Sequence, residues 1–127
     1  MKRVLVIDDE EAVTTFVKRG LEKTGLYEVA AANEAANALA TAKQFKPDLI
    51  LLDILLPGTS GGKVAATLSA DPELSRVPII FLTGLVNKQE TGPRGLFTGG
   101  RRVLAKPVTL AELAQSIEAA LPGDGAG

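Results

Sequence analysis

The chain has 127 residues, of which 46% are hydrophobic and 23% charged, with fourteen basic against fifteen acidic side chains and neither cysteine nor histidine. That fits one globular domain and excludes disulfides, thiolate zinc sites, cysteine or Ser-His-Asp nucleophiles and a phosphohistidine carrier. A formal charge of −1 gives no general pull toward nucleic acid or anionic lipid, and no apolar run approaches the roughly 20 residues of a membrane span.

Short apolar runs alternate with stretches of helical periodicity. Val4–Ile7 is a continuous branched run, the pattern of a parallel strand covered on both faces. It is shorter than the roughly 7–15-residue core of a signal peptide and acidic residues follow at once, so a soluble, cytoplasmic protein is expected. Val13, Phe16, Val17 and Leu21 line one face of a first helix that Gly25 ends. Tyr27–Ala31 carries Glu28 and reads as an edge strand. Asn33 is the expected N-cap of a second helix with Ala35, Ala38, Leu39 and Ala42 on one face. Leu49–Leu52 repeats the buried-strand pattern. Val64 and Leu68 mark a third helix ending near Asp71-Pro72, and Val77–Leu82 is the next strand, with Pro78 at its start.

From Asn87 to Gly100 a fourth helix is due, but Gly92, Pro93, Gly95, Gly99 and Gly100 fall within it. Interior Gly and Pro cost about 1 and 3 kcal/mol relative to Ala, so a short, broken or mobile helix is expected. Val103–Ala105 makes a fifth strand. Thr109-x-x-Glu112 then has capping-box spacing, ahead of a stripe of Leu110, Leu113, Ala114, Ile117 and Leu121. These five βα units predict a single doubly wound α/β domain over residues 1–121, with helices on both faces of the sheet. Residues 122–127 read as a flexible tail or truncated linker.

Four of the apolar runs end, at their C-terminal side, in a polar residue: Asp8 with Asp9, then Asp53, Thr83 and Lys106. Open parallel sheets bind ligands at the carboxyl ends of their strands, so three carboxylates, a hydroxyl and an ammonium are expected to converge on one rim. Clustered carboxylates repel, and a hard divalent cation such as Mg²⁺ relieves them through oxygen ligands. Lys106 adds a point charge and Thr83 a hydroxyl donor. The set suits phosphoryl transfer, where positioning and charge neutralisation carry most of the catalysis. With no histidine, cysteine or Walker-type loop present, the candidate nucleophile is a carboxylate.

At these residues the sequence resembles the receiver domain of two-component response regulators. The matching stretches are Val-Leu-Val-Ile-Asp8-Asp9-Glu10, Leu-Ile-Leu-Leu-Asp53-Ile-Leu-Leu-Pro57-Gly58-Thr-Ser-Gly61, Pro78-Ile-Ile-Phe-Leu-Thr83-Gly84 and Val-Leu-Ala-Lys106-Pro107. The resemblance implies a five-stranded parallel sheet in the flavodoxin-like order 2-1-3-4-5. It implies that Asp53 accepts a phosphoryl group from the phosphohistidine of a sensor histidine kinase or phosphotransfer protein. Asp8, Asp9, Asp53 and the backbone carbonyl of Leu55 would hold Mg²⁺, with Asp9 the more direct ligand of the acidic pair. Lys106 would pair with the acceptor and then the phosphoryl group, Thr83 would swing toward the phosphate, and Lys106-Pro107 would be a cis bond that aims the lysine. Leu55 and Leu85, flanking the phosphoryl group, would slow its hydrolysis. The result would be a partner-binding switch acting on a separate target or a missing output domain, with no nucleic acid or membrane bound by this domain and no external substrate turned over.

Two departures qualify that picture. Val103 stands where the family usually carries an aromatic switch residue, and a β-branched side chain with few rotamers leaves switching to backbone or loop movement. Arg101-Arg102 replaces an acidic pair, and Lys88 to Lys106 holds five basic residues and one acidic. That stretch reads either as a solvated face or as a surface for an acidic partner. Simpler readings also exist for single residues. Asp8 or Asp9 can cap a helix, Glu10 and Glu11 can be a dipole-favoured first turn, and Asp53 and Thr83-Gly84 can be turn chemistry. As a whole, the chain could instead be a pseudo-receiver, an interaction module that keeps the fold without phosphotransfer, or a small aspartyl-nucleophile phosphatase, which would lack a cap and a second acid.

Overall fold

The computed structural model describes residues 1–84, 96–98 and 101–121. Strand β1 (Lys2–Ile7) leads to helix α1 (Glu11–Lys23) and strand β2 (Tyr27–Ala32); a 3₁₀ turn (Ala35–Asn37) precedes α2 (Ala38–Phe45). Strand β3 (Leu49–Asp53) is followed by a short hairpin, β4 (Leu55–Leu56) and β5 (Thr59–Ser60), and by α3 (Gly61–Ala70). Then come β6 (Ile79–Thr83), β7 (Leu96–Thr98), β8 (Arg101–Ala105) and a C-terminal helix (Leu110–Ala120).

The main sheet runs β2-β1-β3-β6-β8-β7. Its first five strands are parallel, which is the expected order 2-1-3-4-5. The sixth, β7, is antiparallel to β8, pairing Leu96 with Val103 and Thr98 with Arg101. Three residues of the stretch expected to form a fourth helix are therefore strand, because an antiparallel neighbour needs only a short connection where a parallel one needs a crossover. The rest of that stretch, and the expected tail over 122–127, lie outside the described residues.

Alternation along the strands builds two cores. Leu5, Ile7, Ile50, Leu52, Ile79, Phe81 and Val103 face α2 and α3. Val4, Val6, Leu49, Leu51, Ile80, Leu82 and Leu104 face α1 and the C-terminal helix. Each fully buried Leu or Ile contributes about 1.5–3 kcal/mol, so the strands that carry the polar residues at their ends are the most firmly fixed part of the chain. Pro78 precedes β6, and its carbonyl accepts the Ile50 N–H at 3.0 Å.

The helices follow the pattern with three corrections. On α1 the buried residues are Thr14, Val17 and Leu21, while Phe16 is 44% exposed; it sits about 100° around the helix from Val17 and misses the stripe. Asn33 caps no helix: the turn after it is 3₁₀, and α2 starts at Ala38 behind Asn37 without a side-chain cap. The capping box of Thr109 and Glu112 forms as expected, but Leu110 is 37% exposed and the stripe's buried members are Leu113 and Ile117, joined by Ser116. Ser60 caps α3 through Lys63 N–H.

Candidate functional site

The strand registers bring the polar ends together. Ile7 lies beside Leu52, Asp53 beside Leu82 and Thr83 beside Ala105, so Asp8, Asp53, Thr83 and Lys106 stand at one end of four adjacent strands. Asp8, Asp53 and Thr83 are buried and Asp9 is exposed. Lys106 N–H donates to Thr83 O at 2.8 Å, tying the lysine's backbone to β6. The Lys106-Pro107 peptide bond is cis, as expected.

Asp8 and Asp53 are held in the same way. Each offers Oδ1 to the backbone N–H two residues on, Glu10 N–H at 2.9 Å and Leu55 N–H at 3.2 Å. Each turns Oδ2 toward Lys106 Nζ, at 2.7 Å for Asp8 and 3.3 Å for Asp53. The turn-forming role and the charge role are thus divided between the two oxygens of one carboxylate. This is turn chemistry at Asp53, as the simpler reading has it, whereas the residue before α1 is Glu10 and no side chain caps that helix, so neither Asp8 nor Asp9 is its cap. Asp8 Oδ2 is buried and meets the ammonium as an ion pair without hydrogen-bond alignment.

The electrostatics follow from burial and crowding. Burial pushes the Asp53 carboxyl above the usual aspartate range and the neighbouring Asp8 charge adds to this, with Lys106 and the Leu55 N–H only partly offsetting them. Burial works to lower the Lys106 pKa, but the Asp8 and then the Asp53 carboxylates outweigh it and hold the ammonium above the usual lysine range. Carboxylate oxygens of Asp8, Asp9 and Asp53 all lie within 4.8 Å of one another. Three oxygen donors at that spacing, one of them a buried acceptor without an aligned donor, fit a hard divalent cation.

Several residues contribute beyond the strand ends. Glu10, expected in the first turn of α1, is the residue just before it and places Oε1 3.3 Å from Lys106 Nζ. Its place in the acidic run after β1 was the available signal. Asn33 braces the site: its Nδ2 donates to Asp8 O at 2.9 Å and to Thr14 Oγ1 at 3.0 Å, joining β1, β2 and α1. Gly61 N–H donates to Ile54 O at 2.6 Å, and a Cβ at Gly61 would press on Asp53 O and lie 2.8 Å from Ile54 Cα. Only glycine lets the start of α3 close against the strand end that carries Asp53. Among the flanking residues, the Leu55 side chain is 56% exposed on the β4–β5 hairpin and Val103 is buried in the core; Leu85 lies outside the described residues.

Comparison with known proteins agrees with this geometry. The chain is 36% identical to the protein PilH of Pseudomonas aeruginosa over 97% of its own length and 100% of PilH. It is 37% identical to the phosphate regulon transcriptional regulatory protein PhoB of the same organism, over 97% of this chain but 55% of PhoB. Its fold matches the chemotaxis protein CheY4 of Vibrio cholerae with a TM-score of 0.81 at 25% identity, over 95% of this chain and 99% of that one. The family model of the response regulator receiver domain matches residues 4–118, and so an acidic rim on a five-stranded parallel core, with a lysine from the last parallel strand reaching into it, places the chain in the receiver-domain family of response regulators.

Proposed function

We propose that this chain is a phosphorylation-controlled switch in which Asp53 accepts a phosphoryl group from the phosphohistidine of a sensor histidine kinase or phosphotransfer protein. The observation that carries this reading is the shared Lys106 ammonium, faced by Asp8 Oδ2 and Asp53 Oδ2 beside the third carboxylate of Asp9. One Asp53 oxygen attacks phosphorus, the N–P bond breaks, and the electron pair returns to the donor imidazole, leaving an acyl phosphate. Asp8, Asp9, Asp53 and the Leu55 carbonyl would hold Mg²⁺, which when bound supplies positive charge for the phosphoryl oxygens. Lys106 supplies further charge, and the buried Thr83 hydroxyl supplies a donor for the transferred group. Because Val103 replaces an aromatic switch, the change passes along the backbone: Lys106 N–H bonds Thr83 O, so a shift of β6 moves β8. The domain turns over no external substrate and acts in the cytoplasm. Its target is a separate protein or an output domain, the two arrangements matching its full coverage of PilH and its partial coverage of PhoB.

The test is phosphoryl transfer from a phosphorylated histidine phosphotransfer protein, followed in Mg²⁺ and in chelator. Transfer that needs both metal and Asp53 is expected; transfer retained in Asp53→Ala removes the reading. Leu55 also sets a lifetime. Its apolar side chain beside Asp53 obstructs water, so Leu55→Asn should shorten the life of the phosphorylated form, and unchanged decay would count against that role.

A further inference from the structure

At the end of the sheet opposite Asp53, a cleft of about 520 Å³ opens around the first residues of β6 and β8. Arg76, Arg101 and Arg102 line it, and no acidic residue is among its described lining residues. Arg76 is exposed on the loop before β6, and Arg101 and Arg102 are half-buried at the start of β8. Successive strand residues point to opposite faces, so Arg101 and Arg102 reach the cleft from the two sides of the sheet. The Arg101 guanidinium is fixed by donating to Ser69 Oγ on α3 at 2.7 Å. Val77, Pro78 and Ala119 give apolar wall between the charges.

We infer that this cleft is a docking site for an extended, carboxylate-rich segment of a partner protein, separate from the phosphoacceptor end. Arg76 presents an exposed planar fork suited to a carboxylate, and Arg101 and Arg102, each with a contact of its own, add positive charge beside it, a spread that matches several dispersed carboxylates. The alternation of charge and apolar wall suits an extended chain that presents acidic and apolar side chains in turn. A compact phosphate group fits less well. The C-termini of α3 and of the C-terminal helix, which supply Ser69 and Ala119, carry no basic residue in their last turns and point their carbonyl ends toward this side. Helix C-termini disfavour a concentrated anion, and the anion-binding arrangement of helix N-termini is absent from the described lining. Carboxylates held at the rim, within reach of the arginines, avoid that repulsion.

The experiment uses the full chain and a fluorescent peptide of alternating Glu-Glu-Leu units, with a Lys-Lys-Leu peptide and inorganic phosphate as comparators. Titration by anisotropy is paired with amide NMR shifts. The expected result is binding of the acidic peptide alone, with shifts at Ser69, at Arg76, Val77, Ile79 and Ile80, and at Arg101–Arg102. Affinity should fall about tenfold or more between roughly 50 and 300 mM salt, as exposed charge pairs are screened. Arg76→Glu should weaken it at least as much, and Arg76→Ala less; Arg76 is exposed, so both variants should fold. Binding that Arg76→Glu leaves unchanged, shifts confined to the Asp53 end, or no binding at low salt would overturn the inference. Displacement of the peptide by an equal concentration of phosphate would instead assign a phosphate site. A concentration-dependent dimer abolished by Arg76→Glu would assign the cleft to a second copy, also overturning it.

Discussion

The two ends of the parallel sheet carry charge under opposite conditions. At the carboxyl end, Asp8 and Asp53 are buried and Lys106 nearly so, and each is matched: both Oδ1 atoms take a backbone N–H and both Oδ2 atoms face the ammonium. At the amino end, three arginines line an open cleft without a carboxylate among its described lining residues. Burial forces partners on a charge, because an uncompensated buried ion costs several kcal/mol, whereas an exposed guanidinium such as that of Arg76 is solvated by water. The half-buried Arg101 and Arg102 keep contacts of their own, Arg101 to Ser69. The first end is therefore fixed by the fold, and the second keeps an exposed charge at its rim that can meet a partner.

The largest test of that contrast is Lys106→Met. It leaves the Asp8 and Asp53 carboxylates facing one another without a cation, and breaking a buried charge cluster in this way should cost about 3 kcal/mol in metal-free protein. Denaturant unfolding measures it, and added Mg²⁺ should restore part of the loss. The pH dependence carries the same sign. The Lys106 pKa is raised above the ordinary 10.5, so its contribution is fully present below that pH and is lost as pH rises through the folded-state value. Burial also raises the Tyr27 pKa above the ordinary 10.0, which lowers the stability of both proteins in that window. The stability of Lys106→Met should therefore fall less steeply than that of wild type, and equal slopes in the two proteins would contradict the pairing.

Next in size is Gly61→Ala, whose Cβ presses on the backbone of Asp53 and Ile54. Overpacking against main chain should cost about 2 kcal/mol, whereas Gly62→Ala, whose Cβ meets only Ser60 Oγ at 3.8 Å, should cost far less. Equal costs would mean that the start of α3 can move. Asn33→Ala removes two hydrogen bonds that hold β1 to α1 and should cost about 1–2 kcal/mol, read as a lowered unfolding midpoint. Asp53→Asn should raise stability without metal, since the raised pKa of Asp53 means that its ionisation above the ordinary 3.8 works against the fold. At the other end, Arg76→Ala should fall within about 0.5 kcal/mol of wild type, because an exposed side chain outside the core offsets little. A large loss there would erase the contrast.

Legibility in the sequence divides along the same line. Strands buried on both faces read as apolar runs, and a polar residue at the end of each run marks the rim, so Asp8, Asp53, Thr83 and Lys106 were visible as a set. Their registers followed from parallel pairing. Side chains that act by reach were not visible: Glu10 joins Lys106 because the lysine stem spans the rim, and Asn33 turns inward because a 3₁₀ turn, not a cap, follows it. Periodicity also misplaced Phe16, whose position differs from the buried stripe by one residue. The strand Leu96–Thr98 was hidden in a stretch rich in Gly, where local propensity says only that a helix is poor. Arg76 joins Arg101 and Arg102 across a gap in sequence that only β6–β8 pairing closes.

The most direct measurement of the central claim is intact mass after incubation with a small-molecule phosphoryl donor, with and without Mg²⁺, beside Asp53→Ala. The account predicts a single phosphoryl adduct that requires both the metal and Asp53. A folded, Mg²⁺-binding protein that forms no adduct, or an adduct that survives in Asp53→Ala, would contradict it.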